Sequence, residues 1–324
     1  MTERAERARE TTVDGLQAVE LGSPEARVSA TFVPGAGMFG SLLSHLGDQL
    51  LHVPGGAAAY AASGTTAGIP LLYPWANRLA GWSYEVGGRR VELARDGAGI
   101  RTEEHGLPIH GLLAAARGWQ LEWVGVDAGG AGLHARFDFA PPELLASFPF
   151  PHVLRMEVAL SGPRLRVATI VEATGDVAVP VSFGFHPYLR LPGVAREEWE
   201  LTTAFGEHLL LDEQMIPSGR REPAEVGAGP LGVRVFDDGY AELGPPPQFR
   251  ISGGGRAIEV ACESGYHYAQ LYAPPGSDFI CFEPMTAPAN ALVRGGAELP
   301  MVAPGASFEA VFSITVTDSG EELR

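Results

Sequence analysis

Apolar and polar residues alternate along most of this chain. Arg27–Val33 (RVSATFV) and Ser307–Thr317 (SFEAVFSITVT) carry the period of two that a half-buried strand shows. Elsewhere such runs come in pairs around glycine-containing turns. Tyr84–Val86 and Arg90–Leu93 flank Gly87-Gly88, and Trp119–Val126 and Leu133–Phe139 flank Gly129-Gly130. Val153–Leu160 and Leu165–Glu172 flank Ser-Gly-Pro-Arg, and Phe249–Ser252 and Ala257–Cys262 flank Gly253–Gly255. Each pair predicts a β-hairpin. Leu42–His52, Ile69–Tyr73, Trp199–Thr203, Tyr268–Tyr272 and Asp278–Phe282 read as further strands. The segment between Thr203 and Pro230 reads as Pro/Gly-rich. A helical period is absent except for one or two turns over Pro142–Ser147. This pattern predicts an all-β chain of sandwiched antiparallel sheets with very little helix. Residues 1–12 read as a polar, flexible tail, and 13–324 as one domain.

One stretch stands out, VSFGFHPYLRLP over Val181–Pro192. Val181, Phe183 and Phe185 alternate with Ser182 and Gly184, and the strand then delivers His186 where Pro187 interrupts pairing. An imidazole at such a point is either a proton donor or a half-buried structural histidine.

Composition narrows the function classes. Among 324 residues the formal net charge is −16, which repels polyanions, so neither nucleic acid nor an anionic membrane is an expected partner. All 23 basic residues are arginine, which excludes lysine Schiff-base chemistry and a P-loop. Cys262 and Cys281 both lie in apolar runs and read as core residues. The first residues, MTERAERARETT, hold no apolar segment, and no run of about 18 apolar residues follows. A cytoplasmic protein is the expectation. Neither H-x-H nor H-E-x-x-H occurs, so no metal is expected, and there is no G-x-S-x-G elbow.

Few polar residues occupy strand-end contexts: Asn77-Arg78, His110, His186, Asp237-Asp238 and Glu283. Glu283, between Phe282 and Pro284, is either a base with a raised pKa or an edge carboxylate facing solvent. One histidine acid and one carboxylate base around a small polyol, with arginine and asparagine to orient it, is the chemistry left. Trp75, Trp82 and Tyr188 are candidates to stack on a sugar ring or are ordinary core aromatics. His45 and His52 read as surface or strand residues.

Five segments, PWANRLAGWSYEVGG, PIHGLL, FGFHPYLRLP, FDDGYAEL and ICFEPMTAP, occur in an order that resembles the aldose 1-epimerases, or galactose mutarotase-like proteins, over roughly residues 25–316. The resemblance implies a large antiparallel β-supersandwich. It implies His186 as general acid and Glu283 as general base, acting on opposite sides of a hemiacetal across one pocket. Arg78, His110 and Asp237 would bind the sugar, with Asn77 beside them and Asp238 as the rival of Asp237. No cofactor is implied. Leu189 and Arg190 stand where many galactose mutarotases have phenylalanine and asparagine, and Leu112 stands where a further glycine is common. The sugar is therefore open. The expected partner is an aldohexose, acted on by a monomer or homodimer. Two alternatives remain: a hexose-6-phosphate 1-epimerase, for which Arg190 and Arg294 are the rim arginines, and a non-catalytic carbohydrate-binding protein.

Overall fold

The computed structural model describes residues 6–318. Strand makes up 51% of it and helix 7%. Three large sheets account for most strands, and every strand pair in them is antiparallel. A five-stranded sheet runs in chain order from Arg7–Val13 to Asp48–Gln49. The nine-stranded sheet centres on Ser307–Asp318, the last strand of the fold, between Arg256–Ser264 and Arg164–Glu172. The site is carried by the eight-stranded sheet. Its order is Pro217–Pro223, Phe205–Leu211, Phe236–Leu243, Tyr268–Ala273, Ile280–Met285, Gly184–Phe185, Leu71–Leu72, with Tyr188–Leu189 also on Ile280–Met285.

The nine- and eight-stranded sheets press face to face. Phe312 meets Phe185 with ring centroids 4.9 Å apart, and Phe249 stacks on Phe282 at 5.2 Å. One apolar core runs through this layer and under the five-stranded sheet, from Val19 to Val316. Side chains alternate across a strand. Because Phe282 points into the core, Cys281 and Glu283 point to the other face of the sheet. Ala269, Leu271 and Ala273 are likewise buried in the core, so Tyr268, Gln270 and Tyr272 share the outer face with Glu283.

Several expectations need correction. Residues 7–12 are not a tail: Arg7–Val13 pairs with Leu16–Ser23 across an Asp14-Gly15 turn with both φ positive. Residues 1–5 lie outside the described residues. The run Leu42–His52 is broken by a turn at Leu46-Gly47 into Phe39–His45 and Asp48–Gln49. Three strands, Phe205–Leu211, Pro217–Pro223 and Gly229–Pro230, occupy the Pro/Gly-rich segment. A helix over Gly56–Ser63 was not expected; it packs Tyr60 on Phe39, centroids 3.9 Å apart. Asp237-Asp238 and Glu283 lie inside strands, not at strand ends.

Candidate active site

His186 and Glu283 are in direct contact, Nε2 to Oε1, at 3.1 Å. The expected arrangement of acid and base on opposite sides of a pocket is therefore corrected: the two groups are neighbours on one face. Glu283 reaches that face by strand alternation. His186 reaches it because Gly184, opposite Met285, and Tyr188, opposite Cys281, both face outward, and His186 lies between them at the same parity. Val181–Phe185 is not one alternating strand. Two-residue pieces, Gly184–Phe185 and Tyr188–Leu189, border Pro187, and residues 181–189 are buried on both faces. A Cβ at Gly184 would come within 2.6 Å of the Pro284 carbonyl and 3.0 Å of Ala76. Only glycine lets the segment bearing Asn77 and Arg78 lie this close.

Burial disfavours charge on both members of the pair. It lowers His186 to about 3 and pushes Glu283 well above the carboxylate range, with Asp237 adding to the rise of Glu283 and Arg78 opposing it. One proton shared by the two groups, without net charge, is the form that burial favours. Glu283 Oε2 and His186 Nδ1 are buried and have no protein partner. Tyr188 lies in the wall of the site, its hydroxyl 3.4 Å from His186 Nε2. It stacks on the His186 ring, centroids 4.4 Å apart and 6° from parallel, and its hydroxyl lies 2.7 Å from Thr66 Oγ1. Trp75 is a core residue, fully buried, and Trp82 donates to the Gly106 carbonyl under Arg95.

The two loops that bring Arg78 and His110 together are joined by backbone bonds, Leu79 N–H to Pro108 O at 2.9 Å and His110 N–H to Asn77 O at 3.0 Å. Asn77 and His110 both have positive φ, a region uncommon for non-glycine residues in which asparagine and histidine are enriched. A Cβ at Gly111 would sit 2.1 Å from the Tyr73 carbonyl, which explains the His-Gly pair. The His110 ring lies edge-on to His186, centroids 5.5 Å apart, with Nδ1 buried and unpartnered. Burial, then His186, Arg78 and Arg101, drive its pKa well below the usual value, so it is neutral. Arg78 Nη2 lies 3.8 Å from Asp237 Oδ2. The Asn77 side chain turns to Arg78, accepting from its backbone N–H at 2.8 Å and from Nη1 at 3.3 Å.

Asp237 and Asp238 are separated by the sheet. Asp237 is opposite Tyr272 and accepts 2.7 Å from Gln270 Nε2, on the face of Glu283. Asp238 points the other way, to His208 Nε2 at 3.2 Å. Burial raises Asp237, against the pull of Arg78 and Gln270. Thus His186, Glu283, Arg78, His110 and Asp237 gather in one place, and Asp238 does not join them. Gln270, Glu103 and Tyr272 are residues that sequence reading missed. Gln270 is the polar member of Tyr268–Ala273, directly opposite Glu283, but that register is invisible in the sequence. Arg190 is engaged with Asp278 at 3.4 Å and with the Gln49 carbonyl. His52 also meets Asp278, at 3.0 Å, and His45 is a buried strand residue beside Arg256. Cys281 is fully buried and Cys262 half-buried; both are free thiols.

A sequence model of the aldose 1-epimerase family matches residues 39–315. An uncharacterised protein of Escherichia coli K12, YihR, is 26% identical over 254 residues, 75% of this chain and 77% of that protein. Among solved structures, a galactose mutarotase-like protein from Clostridium acetobutylicum shares the fold with a TM-score of 0.84 over 97% of this chain and 99% of its own, at 16% identity. Galactose 1-epimerase from Lactobacillus acidophilus shares it with a TM-score of 0.76 over 97% and 99%, at 14% identity.

Proposed function

We propose, from the premise that this chain belongs to the aldose 1-epimerase family, that it interconverts the α and β anomers of a free aldohexose by acid–base ring opening and reclosure. The observation that carries the reading is the buried contact between His186 and Glu283, ringed by Arg78, His110 and Asp237. Opening a cyclic hemiacetal removes the proton of the anomeric hydroxyl and adds one to the ring oxygen. Both oxygens sit on one carbon, so an acid and a base that touch each other are suitably spaced. Glu283 as carboxylate takes the hydroxyl proton, with Oε2 free to do so. His186 as imidazolium protonates the ring oxygen, the C1–O bond breaks, and the aldehyde forms.

The proton count of the pair is unchanged by this step. The ionised pair becomes the neutral pair, and the environment that penalises charge supplies part of the driving force. After rotation about C1–C2 the roles reverse and the other anomer closes. Arg78, His110, Asp237 and Gln270 hold the remaining hydroxyls, and the reaction as drawn uses neither cofactor nor metal. The proposal includes a cytoplasmic setting and a monomer or homodimer.

One observation favours a phosphorylated sugar as the second reading. Arg220, Arg221 and Arg294 line a recess of about 220 Å³ together with Leu209, and Leu209 lies beside Gly239 next to Gln270. Arg221 is paired with Glu207 and Glu298; Arg220 and Arg294 make no ion pair among the described residues. Exchange NMR on the purified protein with glucose, galactose and their 6-phosphates tests both readings. Enhanced anomer exchange of a neutral sugar is the expected result. Exchange confined to a 6-phosphate, and lost in Arg294→Ala, establishes the second reading. No enhancement with any sugar of a wider panel rejects both.

A further inference from the structure

We propose that Glu103 is a positioning residue for this site: its carboxylate locks Arg78 to the loop that carries His110 and sets the charge that Asp237 and Glu283 feel. The proposal rests on the acid–base reading above and deepens it.

Both oxygens of Glu103 are committed, and its side chain is only 8% exposed. Oε1 accepts the backbone N–H groups of His105 at 3.0 Å and Leu107 at 2.9 Å. Oε2 accepts Arg78 Nε at 3.4 Å. The backbone closes the same loop, with Glu103 N–H donating to Leu107 O at 3.1 Å and Gly106 N–H to Glu103 O at 2.9 Å. From Leu107 the chain runs directly to Pro108, Ile109 and His110, which bond to Leu79, Arg101 and Asn77. Glu103 therefore ties a side chain on one loop to the backbone of the other, and the two sugar-facing groups move together or not at all.

Arg78 presents Nε to Glu103 and Nη2 to Asp237; the Glu103 contact is buried on both sides and poorly screened by water, while Asp237 is about a third exposed. Burial alone would raise Glu103; the N–H groups of Leu107 and His105, with Arg78, outweigh it and hold the carboxyl below its ordinary range. Glu103 is thus anionic wherever the protein is folded near neutrality. The other charged or titratable groups around this unit are Asp237, Glu283, His110 and His186 on the site side, Arg101 behind His110, Glu104, which is exposed but still raises Asp237, and the exposed His105. Arg78 pulls both Asp237 and Glu283 down against the effect of burial. With Glu103 neutralising one edge of the guanidinium, that pull is moderated, and Glu283 keeps the high proton affinity that balances His186. Without the Glu103 charge the site becomes more positive, and every group in it binds protons less readily.

Glu103→Gln separates the two roles, since its amide oxygen still accepts the loop N–H groups but carries no charge. The expected result is a KM for the sugar raised at least about tenfold, the scale of a lost charge-assisted hydrogen bond, with kcat within about threefold. Both limbs of the kcat/KM–pH profile should move to lower pH. Glu103→Asp keeps the charge, so its limbs should stay near those of the parent. Carboxyl ¹³C NMR titration of Asp237 and Glu283 reads the same shift without turnover. It therefore decides the matter even if the parent protein exchanges no sugar, the outcome that removes the acid–base reading itself. Unchanged KM and unmoved Asp237 and Glu283 titrations in Glu103→Gln would overturn the proposal, as would equal shifts in the Gln and Asp variants. Thermal unfolding of each variant serves as the folding control.

Discussion

Asp237 and Asp238 are adjacent in the chain and lie on opposite faces of the sheet, and this decides which can touch a sugar. Asp237 shares its face with Gln270 and Glu283, whereas Asp238 bonds His208. Asp237→Asn should raise the sugar KM by about tenfold or more, because a charged hydrogen-bond partner is lost. Asp238→Asn should leave KM within about threefold. Steady-state kinetics on the two variants checks this, and the reverse ranking would show the face assignment to be wrong. The candidate residues were legible as types in short motifs: histidine before Pro187, glutamate before Pro284, Asn-Arg after an apolar run. Their relative placement was not. Contact between His186 and Glu283 depends on the register of Tyr188–Leu189 on Ile280–Met285, which pairs residues nearly a hundred positions apart, and the choice of Asp237 over Asp238 on that of Phe236–Leu243 with Tyr268–Ala273.

At the scale of elements, the period of two located most hairpins to within a residue or two. Val153–Leu160 and Leu165–Glu172 became His152–Ser161 and Arg164–Glu172, joined at Gly162-Pro163. Failures followed a physical rule. Arg7–Val13 is an edge strand with no fully buried residue, so it lacks apolar alternation, and Asp14-Gly15 was the signal that could have found it. Gly56–Ser63 is short and almost all small residues, so it shows no apolar face. At the head of one central strand, His152 is buried with Nδ1–H donating to the Phe150 carbonyl at 2.6 Å and Nε2 accepting from the Tyr73 hydroxyl at 2.5 Å. Burial lowers its pKa to about 4, against the ordinary 6.5. Between these values the unfolded chain binds a proton that the folded one does not, so stability rises with pH. The contribution is complete above about pH 6.5 and is lost as pH falls toward 4, about 3 kcal/mol in all. His152→Gln retains an acceptor for Tyr73 and cannot titrate. Urea unfolding at pH 7, 5.5 and 4 should show a shallower acid loss in this variant; an identical acid loss would contradict the account.

Across the whole molecule, the site lies on the outer face of the eight-stranded sheet, backed by the core it shares with the nine-stranded sheet. That backing keeps water from the acid–base pair on one side, and the Asn77 and His110 loops lie over it on the other. All-β character was legible from the spacing of strands and turns. Sandwiched antiparallel sheets followed from the same spacing, and the ordered motifs narrowed them to the β-supersandwich, since many folds share a period of two. The net charge of −16 favours a neutral sugar, while the arginine recess beside Leu209 opposes that trend locally.

The central claim is that Glu283 moves the anomeric proton and His186 the proton of the ring oxygen. Glu283→Gln preserves shape and hydrogen bonding but cannot accept a proton, and His186→Asn supplies no imidazolium. The most direct measurement is the anomer-exchange rate by NMR for the Glu283→Gln protein beside its parent, with circular dichroism confirming the fold and sugar binding measured in parallel. The account predicts a rate lower by about two orders of magnitude or more, the scale of a lost general base, with binding little changed. Exchange at the parent rate would contradict it.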